Sequence, residues 1–208
     1  MVTVATWSPI KATTKFITGA NPAIPTNVYD VKTDLVDNFA VVEKGKFYRS
    51  AQLSANTLKS YIKEYGIKSV VNLRGKNPKA SWWKKEAAVT RRSKVCFFNV
   101  PMTATKLTSR KNIKAILNIF DTAPRPILIH CQSGIDRTGE VSALWALDQQ
   151  HKSHSTALAQ LTLLYRYSRF ANPKKVAKEF LIKKWRGRSW FEKEYNPAEF
   201  SKFEAQAD

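Results

Sequence analysis

The sequence predicts an α/β protein: a central, mostly parallel sheet of about four to five strands flanked by helices. Three observations predict the class. Short apolar runs, Ile67–Leu73, Lys94–Val100 and Pro126–His130, alternate with longer stretches of helical period. The last run is apolar up to its final residue, the pattern of a strand covered on both faces. A glycine-containing loop and a helix-compatible run follow it at once, so polar chemistry gathers at the carboxyl end of a strand.

In chain order, residues 1–38 contain Pro9, Pro22 and Pro25 among Asn and Thr, and read as an irregular arm packing on a single domain over 39–208. Phe39–Val42 and Phe47–Arg49 flank Lys44-Gly45 and read as a hairpin. Ser54 is placed to cap a helix with Leu58, Tyr61, Ile62 and Tyr65 on one face, and Gly66 to end it. Residues 79–91 read as a basic helix, whole or interrupted at Trp82-Trp83. Thr108 is placed to cap the next helix, with Ile113, Ile116, Leu117 and Phe120 facing inward. Three more helices are expected over 137–150, 155–167 and 174–185, the last forming a basic C-terminal part. No internal repeat or low-complexity tract interrupts this order.

Composition narrows the biology. The 208 residues include 43% hydrophobic and 12% aromatic side chains, enough for a folded core. No apolar stretch approaches the length of a membrane-spanning helix, and Met1–Pro9 lacks the features of a signal peptide. The expected compartment is the cytoplasm, with a periplasmic or secreted location requiring a signal already removed. Cys96 and Cys131 are the two cysteines, which fits a reducing compartment. Cys96, in Val95-Cys96-Phe97-Phe98, reads as a core residue on a strand, and a regulatory disulfide between the two stays open at this point. The formal net charge is +19 and the pI about 10.0. Eight Lys/Arg face one acid over 74–94, and seven face one acid over 174–188. These clusters are either solvated faces or contacts for an anionic membrane surface, a polyphosphorylated substrate or nucleic acid.

The chemistry centres on His130-Cys131-Gln132-Ser133-Gly134-Ile135-Asp136-Arg137-Thr138-Gly139. Five residues separate Cys131 from Arg137, enough to curl into a cradle whose amides point inward. Those amides, from Gln132, Ser133, Gly134 and Ile135, together with the following helix N-terminus, favour a bound phosphate and the thiolate form of Cys131. Gly134 supplies backbone freedom. Arg137 can grip two phosphate oxygens with its planar fork. Thr138 is placed to give its hydroxyl to the thiolate or the loop, and His130 to order the loop backbone.

His-Cys-x-x-Gly-x-x-Arg-Thr resembles the phosphate loop of cysteine-dependent protein-tyrosine and dual-specificity phosphatases. Lys46-Phe47-Tyr48-Arg49-Ser50-Ala51-Gln52, Ile67-Lys68-Ser69-Val70-Val71-Asn72-Leu73-Arg74 and Phe98-Asn99-Val100-Pro101-Met102 are similar to the front half of the small bacterial members and the related atypical plant and fungal enzymes. The resemblance covers roughly 40–170. It implies phosphomonoester hydrolysis through a phosphocysteine, with Cys131 as nucleophile, no cofactor and no metal. It also implies an aspartate acid about thirty residues before the cysteine, yet Pro101–Thr108 contains no carboxylate and Thr105 or a neighbour occupies that place. Asp136 is the replacement favoured here, because phosphoinositide phosphatases of the myotubularin type also carry Asp-Arg-Thr. Asp121 reads as structural, and nothing places Asp30, Asp34 or Asp37 over the site. His151 and His154, three residues apart without a carboxylate or cysteine pattern, read as surface residues rather than metal ligands. The expected substrate is a phosphotyrosine protein or a phosphoinositide. The alternatives are an RNA 5′-phosphatase, for which no RNA-binding module is recognisable, and a catalytically weak phosphate-binding module, against which the intact Cys131 and Arg137 argue.

Overall fold

The structure, a computed structural model, describes residues 37–162 and 174–205. Five strands form one sheet: β1 (Ala40–Glu43), β2 (Phe47–Ser50), β3 (Ser69–Asn72), β4 (Cys96–Asn99) and β5 (Ile127–His130). Their order is β1-β2-β5-β3-β4, with β1 antiparallel to β2 and every other pair parallel. The apolar run ending at His130 thus occupies the centre, where all four of its residues are buried.

Side chains alternating along the strands divide the core in two. Tyr48, Val70 and Leu128 turn to one face, packing with Leu58 of α1 (Ala55–Glu64) and Val89 of α2 (Ser81–Arg92). Phe47, Val71, Ile127 and Ile129 turn to the other, against α3 (Arg110–Thr122), α4 (Asp136–Asp148) and α6 (Lys174–Lys184). There Phe47 stacks on Trp145 with ring centroids 4.1 Å apart. Helix α4 is buried on all sides from Thr138 to Leu147, sheathed by α5 (His154–Thr162) and α6. None of the described helices is long and apolar enough to cross a membrane.

Local signals explain most boundaries. The Ser54 hydroxyl accepts from the Thr57 amide to cap α1, and Gly66 takes φ 62 just after its end. Helix α2 runs unbroken through Trp82-Trp83. The expected arm over 1–38 lies outside the described residues apart from Asp37 and Asn38, as does the end of the helix expected over 155–167. The C-terminal part holds more than one helix: after α6 come α7 (Arg188–Lys193), a short turn at Pro197–Glu199 and α8 (Phe200–Glu204).

Three expectations are corrected, and one open alternative is closed. Cys96 is exposed rather than buried. It opens the edge strand β4, on the opposite face from Phe97, which packs with the α1–α2 cluster, and Phe98, farther along, is the one that meets the core. The disulfide with Cys131 is excluded by register. Ser69 pairs with both Cys96 and Ile127, so Cys96 lies level with a residue four positions before Cys131, about 13 Å away along the strands. Ser109, not Thr108, caps α3, accepting from the Asn112 amide. Thr108 is buried and donates to Glu140 at 2.7 Å.

Charge also departs from expectation. The cluster at 174–188 is not a uniform solvated face. Lys178 is fully buried and bonds Glu140 Oε2 at 2.9 Å, Thr108 Oγ1 at 3.0 Å and the Lys106 carbonyl at 2.9 Å. Lys183 pairs with Glu179, Lys184 with Glu199, and Arg188 with Asp121 and Asp148. Over 76–94, by contrast, Lys76, Lys79, Lys84, Lys85, Arg91, Arg92 and Lys94 are all exposed, and the one acid, Glu86, is buried.

Removing one member of a buried ion pair strands the other charge. Lys178→Met should therefore cost about 3–5 kcal/mol in urea-induced unfolding, and adding Glu140→Leu to it should restore much of the loss. A single variant as stable as the parent would show that the pair does not hold α4 to α6.

Candidate active site

The sequence from β5 into α4 folds as a loop because its ends are fixed by a central strand and a buried helix. Gly134 takes φ 72, and a side chain there would come within 2.8 Å of the backbone of Ser50 and Ala51, so the loop lies directly on the end of β2. From β2, the fully buried Arg49 reaches up and donates to the Gly134 carbonyl at 2.8 Å. Its other nitrogen, Nη1, donates to the Gln160 carbonyl and to Gln160 Oε1 at 2.8 and 2.9 Å, tying in α5. The Gln52 amide holds the Gln132 carbonyl at 3.1 Å, and Asn38 Nδ2 holds that of Ser133 at 2.8 Å. The Gly139 amide holds Ile135 O at 2.7 Å, inside the first turn of α4. With its carbonyls engaged outward, the loop turns amides inward: those of Gly134 and Thr138 reach the Cys131 sulfur.

Cys131 is 1% exposed at the loop's floor. Burial pushes its thiol up, but the Thr138 hydroxyl, the charge of Arg137 and the Thr138 and Gly134 amides outweigh burial and hold it below the ordinary thiol range. Thr138 Oγ1 is buried and has no oxygen or nitrogen partner, which leaves it to the sulfur. Arg137, half-buried, touches the Met102 carbonyl at 3.4 Å with one Nη and keeps a buried Nε–H without a hydrogen-bond partner. Gln132 and Ser133 are exposed at the rim and Ile135 is half-buried. The arrangement offers an anion a ring of amides, a guanidinium edge and a sulfur poised as thiolate.

Beneath the loop, His130 Nδ1 lies 3.1 Å from the Cys131 carbonyl, as expected of a residue that orders the backbone. Its Nε2 lies 2.7 Å from Glu86 Oε1, with both side chains buried. Burial disfavours the imidazolium, yet Glu86 and the Cys131 thiolate prevail and the His130 pKa is raised. Glu86 thus favours the charged form of His130, whose ring is tied to the Cys131 backbone. Gln52 Nε2 donates to the second Glu86 oxygen at 3.3 Å, and Arg74 Nη1 donates to Gln52 Oε1 at 3.0 Å, so the chain of contacts runs from the floor of the site to its edge. Sequence reasoning missed Glu86 and the role of Arg49. The signal for Glu86 was its place as the lone acid in a basic helix, four residues before Thr90 on the same buried face.

Asp136 opens α4, half-buried, with no side-chain hydrogen bond or ion pair among the described residues. The loop at 101–108 is held at its two ends, by Arg137 on Met102 O and by Lys178 on Lys106 O and Thr108, with Thr105 exposed between. Asp121 binds Arg188, a structural role as expected. Asp37 lies beside the loop, its carbonyl accepting from the Ala51 amide and its carboxylate from Tyr61, while Asp30 and Asp34 lie outside the described residues. His154 spends its Nε2 on the Trp185 carbonyl at 2.8 Å, and His151 is exposed in a left-handed turn.

No curated protein is a significant match to the chain. Solved structures share the fold. TpbA of P. aeruginosa superposes with a TM-score of 0.58 at 17% identity, covering 88% of this chain and 99% of that one, and a cysteine-to-serine variant of TpbA has been solved in complex with pTyr. The catalytic core of Siw14 from S. cerevisiae, described as a PP-IP phosphatase, gives a TM-score of 0.56 at 22% identity over 82% of this chain and 93% of that one. Tk-PTP gives 0.55 at 17% identity over 70% and 93%. Residues 20–179 match the family model described as DSP-PTPase phosphatase fused to NAD+ Kinase, and the chain belongs to this family of cysteine-based, dual-specificity-type phosphatases.

Proposed function

We propose that the chain hydrolyses phosphotyrosine or phosphoinositide-type monoesters through a phosphocysteine intermediate. The observation that carries this reading is the buried Cys131 thiol, held towards thiolate at the floor of an amide-lined loop that ends in Arg137. The Cys131 sulfur attacks phosphorus opposite the ester oxygen, and the S–P bond forms as the P–O bond breaks. Arg137 and the amides from Gln132 to Ile135 hold the non-bridging oxygens and the charge that gathers on them. Asp136 gives its proton to the departing oxygen. As a carboxylate it then takes a proton from water, whose oxygen attacks phosphorus, releasing inorganic phosphate and the Cys131 thiolate. The half-buried Asp136 carboxylate, without a side-chain partner among the described residues, and the carboxylate-free stretch 101–108 support this assignment of the acid. The exposed lysines and arginines over 76–94 attract anionic substrates towards the site.

Cys131→Ser should abolish turnover of an aryl phosphate while retaining affinity for inorganic phosphate, because the amides and Arg137 stay in place. Turnover by the Ser variant at about a tenth of the parent rate or more would rule out sulfur attack. The leaving group tests the acid: Asp136→Asn should slow an alkyl phosphate by about 100-fold and 4-nitrophenyl phosphate, whose leaving group needs no proton, far less. Equal slowing of both substrates would make Asp136 a supporting residue.

The His130–Glu86 pair adds a prediction about pH. Glu86 favours the charged form of His130, and that charge in turn favours the Cys131 thiolate. Glu86→Gln removes the anion that stabilises the imidazolium, so alkylation of Cys131 by iodoacetamide should require higher pH than in the parent. An unshifted alkylation profile would show that the His130 charge does not poise the thiol.

A further inference from the structure

We propose that Arg74, on the loop leaving β3, forms a second anion subsite at the edge of the phosphate loop, shaped for a substrate that carries two neighbouring phosphoryl groups. The inference rests on the reading of the phosphate loop given above and adds to it a residue that selects among phosphomonoesters.

Arg74 is fixed in place by its surroundings. Its amide donates to Asn72 Oδ1 at 2.8 Å, and Asn72 Nδ2 in turn donates to Gly75 O and Asn99 Oδ1, both at 3.0 Å. Trp83 Nε1 completes the set by donating to Asn99 Oδ1 at 2.8 Å. Gly75 rests on Pro101 so closely that a Cβ would fall 2.9 Å from the proline Cβ. The guanidinium lies 3.6 Å over the Trp82 ring and donates to Gln52 Oε1, and the Gln52 amide holds Gln132 of the phosphate loop. A stacked, tethered guanidinium loses little freedom when it takes up an anion.

Its charge has no equal partner. Among the described residues no carboxylate lies within ion-pair distance of Arg74, and the one acid near it, Glu86, is committed to His130. Burial and the positive Arg137 work against the Arg74 charge more than Glu86 and the Cys131 thiolate work for it, so its pKa is lowered. Two guanidinium groups within Coulomb reach of each other, beside a loop built for phosphate, are brought into balance by an anion that spans them. A monoester filling the loop occupies Arg137 and leaves Arg74 uncompensated. A second phosphoryl group on the same molecule meets it, with the exposed Lys76 and Lys79 of the same loop adding to the positive field.

The test measures binding in the Cys131→Ser chain by calorimetry, so that nothing is turned over. The probes are inorganic phosphate, inorganic pyrophosphate, an inositol monophosphate and an inositol bisphosphate with adjacent phosphates. At least one doubly phosphorylated probe should bind about tenfold more tightly than its singly phosphorylated counterpart, the scale of one charge-assisted contact. Preference for pyrophosphate indicates a diphosphate, and preference only for the inositol bisphosphate indicates phosphates on adjacent carbons. Arg74→Ala, and Arg74→Gln as a second variant with folding checked by circular dichroism, should remove the preference while weakening the singly phosphorylated probes by no more than about threefold. Equal affinity for single and double phosphates, or a preference that survives both variants, overturns the subsite. Failure of all four probes to bind overturns the phosphate-loop reading itself.

Discussion

The contact on which the site depends is the fork of Arg49 beneath the phosphate loop. A guanidinium with no exposed surface is costly to bury, and the hydrogen bonds of its two Nη groups offset that cost. Here one nitrogen holds the Gly134 carbonyl and another grips α5 through Gln160. Because Gly134 lies against the backbone of β2 with no room for a side chain, the loop is seated on the sheet and clamped from below at the same residue. The inward-facing amides follow from this. Once the carbonyls of Gln132, Ser133, Gly134 and Ile135 are taken by neighbours, the N–H groups are left for an anion.

Charge is distributed on two principles in this chain. Near the C-terminus, basic residues are structural: Lys178 lies inside, and Lys183, Lys184 and Arg188 find carboxylates. Along α2 and the loop before it they are exposed and, among the described residues, meet no carboxylate, because Glu86 faces the other way, under His130. The asymmetry concentrates exposed positive charge along α2 and the loop before it. Two stretches of similar composition thus have different physical roles, decided by which neighbours tertiary structure brings to them.

That distinction marks the limit of what sequence carries. The strand, loop and helix around Cys131 were legible because their residues are contiguous, and because a Cys and an Arg at that spacing with a glycine between have few other uses. The hairpin at Lys44-Gly45, the Ser54 cap and the inward face of α3 were legible for the same local reasons. Arg49 under Gly134, Lys178 on Glu140 and Arg74 on Gln52 are contacts between distant segments, and no periodicity announces them. Cys96 and Thr108 were misplaced for a related reason. A strand's pattern does not say that it is the edge strand, and a threonine before a helix can serve a buried carboxylate as readily as a helix end.

The buried Lys178 ties the later part of the chain to the earlier. Its single ammonium group bonds Glu140, in the helix that begins at the phosphate loop, and the carbonyl of Lys106, on the stretch bordering Arg137. Helix α6 is consequently an internal strut of the catalytic half rather than an appendage. A shortened version ending before Lys174 would lose both the cation that meets Glu140 and the apolar cover that Phe180, Leu181 and Ile182 lay over α4, so the smallest workable unit of this protein has to reach past Lys178.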